Sequence, residues 1–268
     1  MHDASSSGSS SSSGQGPEQQ PQQQQKPSSA GAPPSEGPSF MDGINWFCYS
    51  ALGLIILADF SPLGAVLASG PDAPLKLAAF QGAVFFAPTL AWVVRQGWDV
   101  RRAFRIAPAS GAWLAAGLCL GPIVWGASSA AIALKSGAWA GGAGSLLPPD
   151  AAPGSAGTVL AAAAAGGASP VLLAAAVALA PALIEELLFR GLLLAALLTR
   201  LGRIDAVALC GALFAAIHLD PAQFFPFAVL GFAAGGVAVA SRSVWPAVAL
   251  HAAYNLTGLA LGLALARA

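Results

Sequence analysis

Charge is scarce in this sequence, and the two signs balance. Asp, Glu, Lys and Arg together make up 9% of the 268 residues, with 12 basic and 12 acidic side chains. A chain without an excess of positive charge lacks the electrostatic attraction through which proteins bind phosphate backbones. Nucleic acid is therefore not an expected partner.

Cysteine is scarce as well. The three cysteines, Cys48, Cys119 and Cys210, lie far apart in apolar segments and form no paired spacing. This spacing argues against a disulfide framework and against a metal site made of thiolates. We expect all three side chains to pack among apolar neighbours.

Apolar residues are abundant, at 56% of the chain, and they form long blocks rather than amphipathic stripes. Such blocks are typical of membrane helices, which need about 20 apolar residues to cross about 30 Å of hydrocarbon. We predict an all-α, polytopic transmembrane helical bundle of about seven spans. The predicted spans are 44–68, 75–95, 111–134, 170–199, 204–219, 223–240 and 244–266.

Two segments do not fit this pattern. Residues 1–39 are rich in Ser, Gln and Pro with almost no large apolar side chain, so we predict a disordered tail and a single membrane domain over residues 40–268. Residues 136–169 are rich in Gly, Ala and Pro, and we expect a loop there. The chain is expected to be an integral, multi-pass protein of an endomembrane, a plastid membrane or a bacterial inner membrane.

The positive charges predict an orientation. Seven spans place three arginine-bearing connections on one side, and these contain Arg95, Arg101, Arg102, Arg105, Arg200, Arg203 and Arg242. Only Lys76, Lys135 and Arg267 fall on the opposite side. Because positive charge accumulates in cytoplasmic loops, the amino-terminal tail is expected in the cytosol or stroma, and the carboxyl terminus on the other side.

A few polar residues interrupt the last four predicted spans, namely Glu185, Glu186, Arg190, His218, His251 and Asn255. An ionisable group at the bilayer centre costs roughly 2.5–3.5 kcal/mol, so these residues are expected to have a function. At a rise of about 1.5 Å per residue, Glu185, His218 and Asn255 all lie about 20–22 Å from the arginines of their own helices. Three helices therefore contribute to one polar layer.

Helical spacing assigns partners within this layer. Glu186 and Arg190 are four residues apart and can form an ion pair, whereas Glu185 is rotated about 100° away and can face another neighbour. His251 and Asn255 project from one face of the last span. A buried carboxylate can take a proton from water, imidazoles can orient that water or bind a metal, and an amide can donate to an oxyanion. The set suits hydrolysis, and a peptide bond is the expected target.

These residues also form three motifs on separate apolar segments within residues 181–256. They are Glu-Glu-x-x-x-Arg at 185–190, Phe-x-x-x-His at 214–218 and His-x-x-x-Asn at 251–255. In kind and order they resemble the motifs of the CPBP family of intramembrane proteases, also called the CAAX-processing or Abi family. The resemblance implies a multi-pass endopeptidase that cuts near the membrane. The type II CAAX-prenyl proteases of the family remove the last three residues of prenylated proteins, which makes a membrane-proximal peptide or a prenylated protein the implied substrate.

The resemblance leaves two mechanisms open. In one, His218 and His251 are ligands of a zinc ion, Zn²⁺. In the other, Glu185 activates water with help from His218, while His251 and Asn255 stabilise the oxyanion. The sequence contains no His-Glu-x-x-His and no nearby Cys, so a three-ligand zinc site would have to recruit a glutamate or an asparagine. This favours Glu185 as the general base, with Glu186 and Arg190 either catalytic or a structural ion pair.

Two other classes of function remain open. A proton-coupled transporter also keeps buried carboxylates and histidines, and in that case Glu185 would titrate with transport. It would not explain the three motifs. A non-catalytic membrane scaffold could retain the fold, and the substitution Glu185→Ala would then leave its role intact.

Overall fold

The apolar segments fold into helices, because a helix satisfies its own backbone hydrogen bonds in a medium without water. The computed structural model describes residues 37–59, 61–67, 69–136, 166–221 and 223–265, and these contain helices and no strand. The helices are α1 Phe40–Asp59, α2 Leu63–Leu67, α3 Ala73–Arg95, α4 Val100–Ala103, α5 Gly111–Ser136, α6 Pro170–Leu197, α7 Arg203–Ala216, α8 Phe224–Ser241 and α9 Trp245–Leu265. Within them, Gln81–Phe86 of α3 and both Ala174–Leu179 and Leu187–Leu193 of α6 are π-helical.

The predicted fold class is confirmed. In the described part of the chain six helices are long and apolar enough to cross a membrane, namely α1, α3, α5, α6, α8 and α9. Most of the predicted tail and residues 137–165 of the predicted loop lie outside the described residues. The disorder of the tail and the 1–39 and 40–268 division therefore stay predictions.

Two predicted spans differ in detail. The first span, 44–68, is divided because α1 ends at Asp59 and α2 begins only after Pro62, which has no backbone N–H to continue a helix. The fifth, 204–219, is the 14-residue helix α7, which is about 21 Å long and shorter than the other six. Helix α7 runs antiparallel to α8, as the order of their contacts shows. A Cβ on Gly231 would lie 2.8 Å from Gly211 Cα, and a Cβ on Gly235, further along α8, would lie 3.1 Å from Cγ1 of the earlier residue Val207.

Two of the arginine-bearing connections lie together, as the predicted orientation requires. The Arg105 guanidinium donates to the carbonyl of Ala238 at 3.0 Å, and the Arg105 carbonyl accepts from the Val244 N–H at 3.1 Å. The hydroxyl of Ser243 donates to the carbonyl of Ala107 at 2.6 Å. Partial burial lowers the pKa of Arg105, but its cation still lies favourably near the carboxyl-terminal end of α8.

Small residues let the helices approach closely around α6. A Cβ on Gly121 of α5 would lie 2.6 Å from the carbonyl oxygen of Leu250 in α9. Together with the Gly211 and Gly231 contact between α7 and α8, this is the usual way in which membrane helices pack. The segment Leu187–Leu193 of α6 lies in the core, since all of its residues are buried.

The expectation for the cysteines is confirmed only in part. Cys210 is buried, and its thiol lies 3.3 Å from the carbonyl oxygen of Phe189. Cys48 and Cys119 are exposed on the outer face of the helices, so the prediction that they pack inside was wrong. An apolar sequence context does not require burial here, because the outer face of a membrane helix meets lipid.

Candidate active site

The two adjacent carboxylates of α6 face different neighbours. The Glu186 side chain is fully buried, whereas 16% of the Glu185 side chain is exposed. Both precede the π-helical segment Leu187–Leu193, a distortion that is frequent at functional sites. Glu185 is thus the more accessible of the two carboxylates.

Glu186 lies in a closed cluster. Its Oε1 accepts from Arg190 Nη1 at 2.7 Å and lies 2.8 Å from His251 Nδ1. The guanidinium also donates to the carbonyl of Gly231 at 3.2 Å, and it lies 4.4 Å from the centroid of the Phe214 ring. The predicted ion pair is therefore present and fully buried, although Glu186 Oε2 and Arg190 Nε have no hydrogen-bond partner among the described residues. Since an ionised carboxylate only accepts, His251 Nδ1 is the donor in this pair.

Glu185 lies in a second, more open cluster. Its Oε2 is 4.0 Å from His218 Nε2, and 25% of the His218 side chain is exposed. Its Oε1 accepts from Gln81 Nε2 of α3 at 3.0 Å. His218 Nδ1 lies 2.7 Å from the carbonyl oxygen of Phe214, which can only accept, so Nδ1 is the protonated nitrogen. In a neutral His218 the lone pair is then on Nε2, the nitrogen nearer the Glu185 carboxylate.

Aromatic rings fix the His218 imidazole on two sides. The Phe227 ring of α8 stacks on it at 3.9 Å with an interplanar angle of 23°. Phe214 meets it edge-on at 4.9 Å and also contacts the His251 ring at 5.8 Å. Phe214 therefore separates the two histidines and packs against both, which agrees with a packing role for the phenylalanine of the second motif.

Asn255 lies one turn further along α9 than His251. Its Nδ2 donates to the carbonyl of Ala178 at 3.5 Å. Ala178 lies on α6, about two helical turns before Glu185. The described hydrogen bond of Asn255 thus goes to backbone and not to a carboxylate of the site. The other five predicted residues are brought together in the two clusters.

Two residues of this site were not predicted from the sequence. Gln81 could have been noticed as a polar side chain inside the apolar second span, but no spacing relates it to Glu185. Phe227 is one of several phenylalanines near the start of α8, and nothing in the sequence distinguishes it from the others. Both contacts depend on how the helices are rotated against one another.

The donor set does not fit a usual zinc site. A catalytic zinc ion takes three protein ligands as a rule. Among the residues that the structure describes, no group of three or more His, Cys, Asp or Glu side chains is arranged to hold a metal ion. His218 and His251 each have Nδ1 in a hydrogen bond, which leaves one nitrogen apiece as a possible ligand.

Comparison with known proteins agrees with the motifs. The fold and the site define an integral, multi-pass membrane protein with two clusters, each of which contains one glutamate and one histidine. Residues 167–257, about a third of the chain, match the family model described as type II CAAX prenyl endopeptidase Rce1-like, and this segment includes all three motifs. The predicted resemblance to the CAAX-processing family of membrane proteases is thereby confirmed. A search of curated proteins gave no match, and a search of solved structures gave none either.

Proposed function

We propose that the protein is an intramembrane endopeptidase in which Glu185 activates water with the help of His218. The proposal rests on one observation, the 4.0 Å separation between Glu185 Oε2 and His218 Nε2. Both atoms are acceptors when His218 is protonated on Nδ1, so they do not bond each other. A water molecule that donates one hydrogen to each, at about 2.8 Å, spans this distance.

The reaction then follows from these two groups. Glu185 removes a proton from the shared water while the oxygen of that water attacks the carbonyl carbon of the peptide bond. The tetrahedral intermediate collapses when the carbon–nitrogen bond breaks, and the proton held by Glu185 passes to the leaving amine. The partial exposure of Glu185 and His218 supports this assignment, because the reacting groups must meet both water and substrate.

The Glu186 cluster has a different part in this proposal. Glu186 and Arg190 are fully buried and paired with each other, and Glu186 Oε1 bonds His251 Nδ1. We propose that this pair orients the imidazole and does not contact the substrate. His251 and Asn255 are the donors that we propose for the oxyanion. Because Nδ1 of His251 donates to Glu186, its Nε2 donates to the oxyanion only when the ring carries both protons. Asn255 is available for this role because its 3.5 Å hydrogen bond to Ala178 is long and therefore weak.

The family match and the apolar surroundings support a proposal for the substrate class. The matched family model is described as a type II CAAX prenyl endopeptidase. We propose a substrate of the kind that this description names, a prenylated peptide that reaches the site from the membrane.

Cleavage of a fluorogenic, prenylated CAAX peptide by the purified protein tests this function. We expect Glu185→Gln to lower kcat about 100-fold or more, the usual contribution of a general base. Asp72→Asn is the matched control, because it removes a carboxylate that is paired with Lys76 away from the site, and it should leave kcat unchanged. A Glu185→Gln enzyme with wild-type activity would rule out the proposed base.

Two further arms refine the result. A zinc chelator should leave cleavage intact, whereas a loss that added Zn²⁺ restores would contradict the metal-independent mechanism. A peptide without the prenyl group should be cleaved poorly. If the wild-type protein cleaves neither peptide, the endopeptidase proposal fails for this substrate class, and a transporter or a scaffold becomes the better interpretation.

A further inference from the structure

Gln81 contacts the proposed base from outside the segment that matches the family model. That segment covers residues 167–257, whereas Gln81 lies in α3. Its Nε2 donates to Glu185 Oε1 at 3.0 Å. Its own Oε1 is buried and has no hydrogen-bond partner among the described residues, so the amide is directed into the bundle and not toward lipid.

The backbone supports this contact. Gln81 is the first residue of the π-helical segment Gln81–Phe86, and a Cβ on the next residue, Gly82, would lie 3.9 Å from Ile184 Cδ1. Helices α3 and α6 are therefore packed together beside Glu185.

The chemistry of the partner distinguishes the two carboxylates. Glu186 is paired with the Arg190 cation, which neutralises its charge. Glu185 is paired with a neutral amide, which fixes one oxygen without cancelling the charge that a base needs. With Oε1 held by Gln81, Oε2 is the oxygen that faces His218.

We propose that Gln81 is a positioning residue, which holds the Glu185 carboxylate so that Oε2 faces the water shared with His218. This inference rests on the proposed function. An amide placed in an apolar helix only as a structural contact would stabilise the bundle by about 1 kcal/mol, as interhelical hydrogen bonds do, and its loss would leave kcat of the folded enzyme unchanged. A fall in kcat at constant KM on removal of the donor therefore separates the two roles.

The experiment compares the full-length wild-type enzyme with Gln81→Met and Gln81→Glu on the prenylated peptide. Gln81→Met keeps the size of the side chain and removes the donor, so kcat should fall about tenfold or more, as expected for a hydrogen bond to a charged group, with KM nearly unchanged. Gln81→Glu places a second carboxylate beside the first. Because like charges oppose ionisation, the acidic limb of the kcat profile should move to higher pH.

Val84→Ala is the control, since Val84 is on the same π-helical segment but is exposed on the outer surface. It should change neither kcat nor the pH profile. If the wild-type enzyme is active and both Gln81 variants keep its kcat and its acidic limb, the positioning role is wrong while the proposed function stands. An inactive wild-type enzyme would overturn both.

Discussion

At the scale of single residues, two neighbouring glutamates differ in environment and not in chemistry. Glu186 is enclosed with a guanidinium and an imidazole, whereas Glu185 meets an amide and a partly exposed imidazole. Arg190 is buried with Glu186 as its counter-charge, so the loss of the Glu186 carboxylate is expected to destabilise the fold. A partly exposed carboxylate with neutral partners can be replaced without an uncompensated charge.

Glu186→Gln should therefore destabilise the protein, by about 3–5 kcal/mol, because it leaves the fully buried Arg190 without its counter-charge. Glu185→Gln should leave the unfolding temperature close to that of the wild type. Thermal unfolding of both purified variants in the same detergent measures the difference. Equal unfolding temperatures would show that Glu186 is not the structural carboxylate of the pair.

Phe227→Leu should lower kcat about two- to tenfold, since a stacked aromatic pair is worth about 0.5–1.5 kcal/mol and holds the His218 ring in place. Phe225→Leu is its control, because Phe225 is on the same helix but 64% exposed. Steady-state cleavage by the two variants provides the comparison. A similar loss in both would mean that stacking on His218 has no special role.

At the scale of helices, the site depends on glycine contacts that bring α7 and α8 against α6. Gly231 is approached from one side by the Gly211 backbone, and its carbonyl accepts from Arg190. The same residue thus links the α7–α8 interface to the Glu186 cluster. A change at this interface is expected to affect both stability and the position of His218.

Gly231→Ala should destabilise the protein by about 1–3 kcal/mol, because the new Cβ would lie 2.8 Å from Gly211 Cα and backbone cannot move aside as a side chain can. Gly236→Ala is a matched control on the same helix, with nothing within 4 Å of its Cβ, and should be neutral or slightly stabilising. Unfolding temperatures and kcat of both variants test this. Tolerance of alanine at 231 would contradict the close helix contact.

Contacts within one helix could be predicted from the sequence, and contacts between helices largely could not. The Glu186 and Arg190 pair follows from a spacing of four residues, and the common depth of Glu185 and His218 follows from the helical rise. The bond between His251 and Glu186, and the contact between Gln81 and Glu185, depend on the rotation of α9 and α3 about their own axes. Weak hydrophobic periodicity in membrane helices leaves that rotation undefined, because lipid and core are both apolar.

At the scale of the whole molecule, the number of crossings decides on which sides the two ends lie. Helix α7 is too short to be counted with the six long helices. Its antiparallel contacts with α8 place Arg203, at the start of α7, near the carboxyl-terminal end of α8, which Arg242 follows. The contact of Arg105 with Ala238 places a third arginine-bearing connection at that end. The three arginine-bearing connections therefore lie on one side, and the positive-inside tendency predicts that this side is the cytosol or the stroma.

Seven crossings place tags fused to the two ends of the chain on opposite sides of the membrane. In sealed vesicles, an added protease should remove one tag and leave the other until detergent opens the vesicle. If α7 does not carry the chain across, six crossings remain, and the protease should remove both tags or neither. Whichever tag is removed identifies the side on which the arginine-rich surface lies. Glu185 is about 22 Å from that surface by the helical rise, and a substrate of the proposed kind would have to reach this depth.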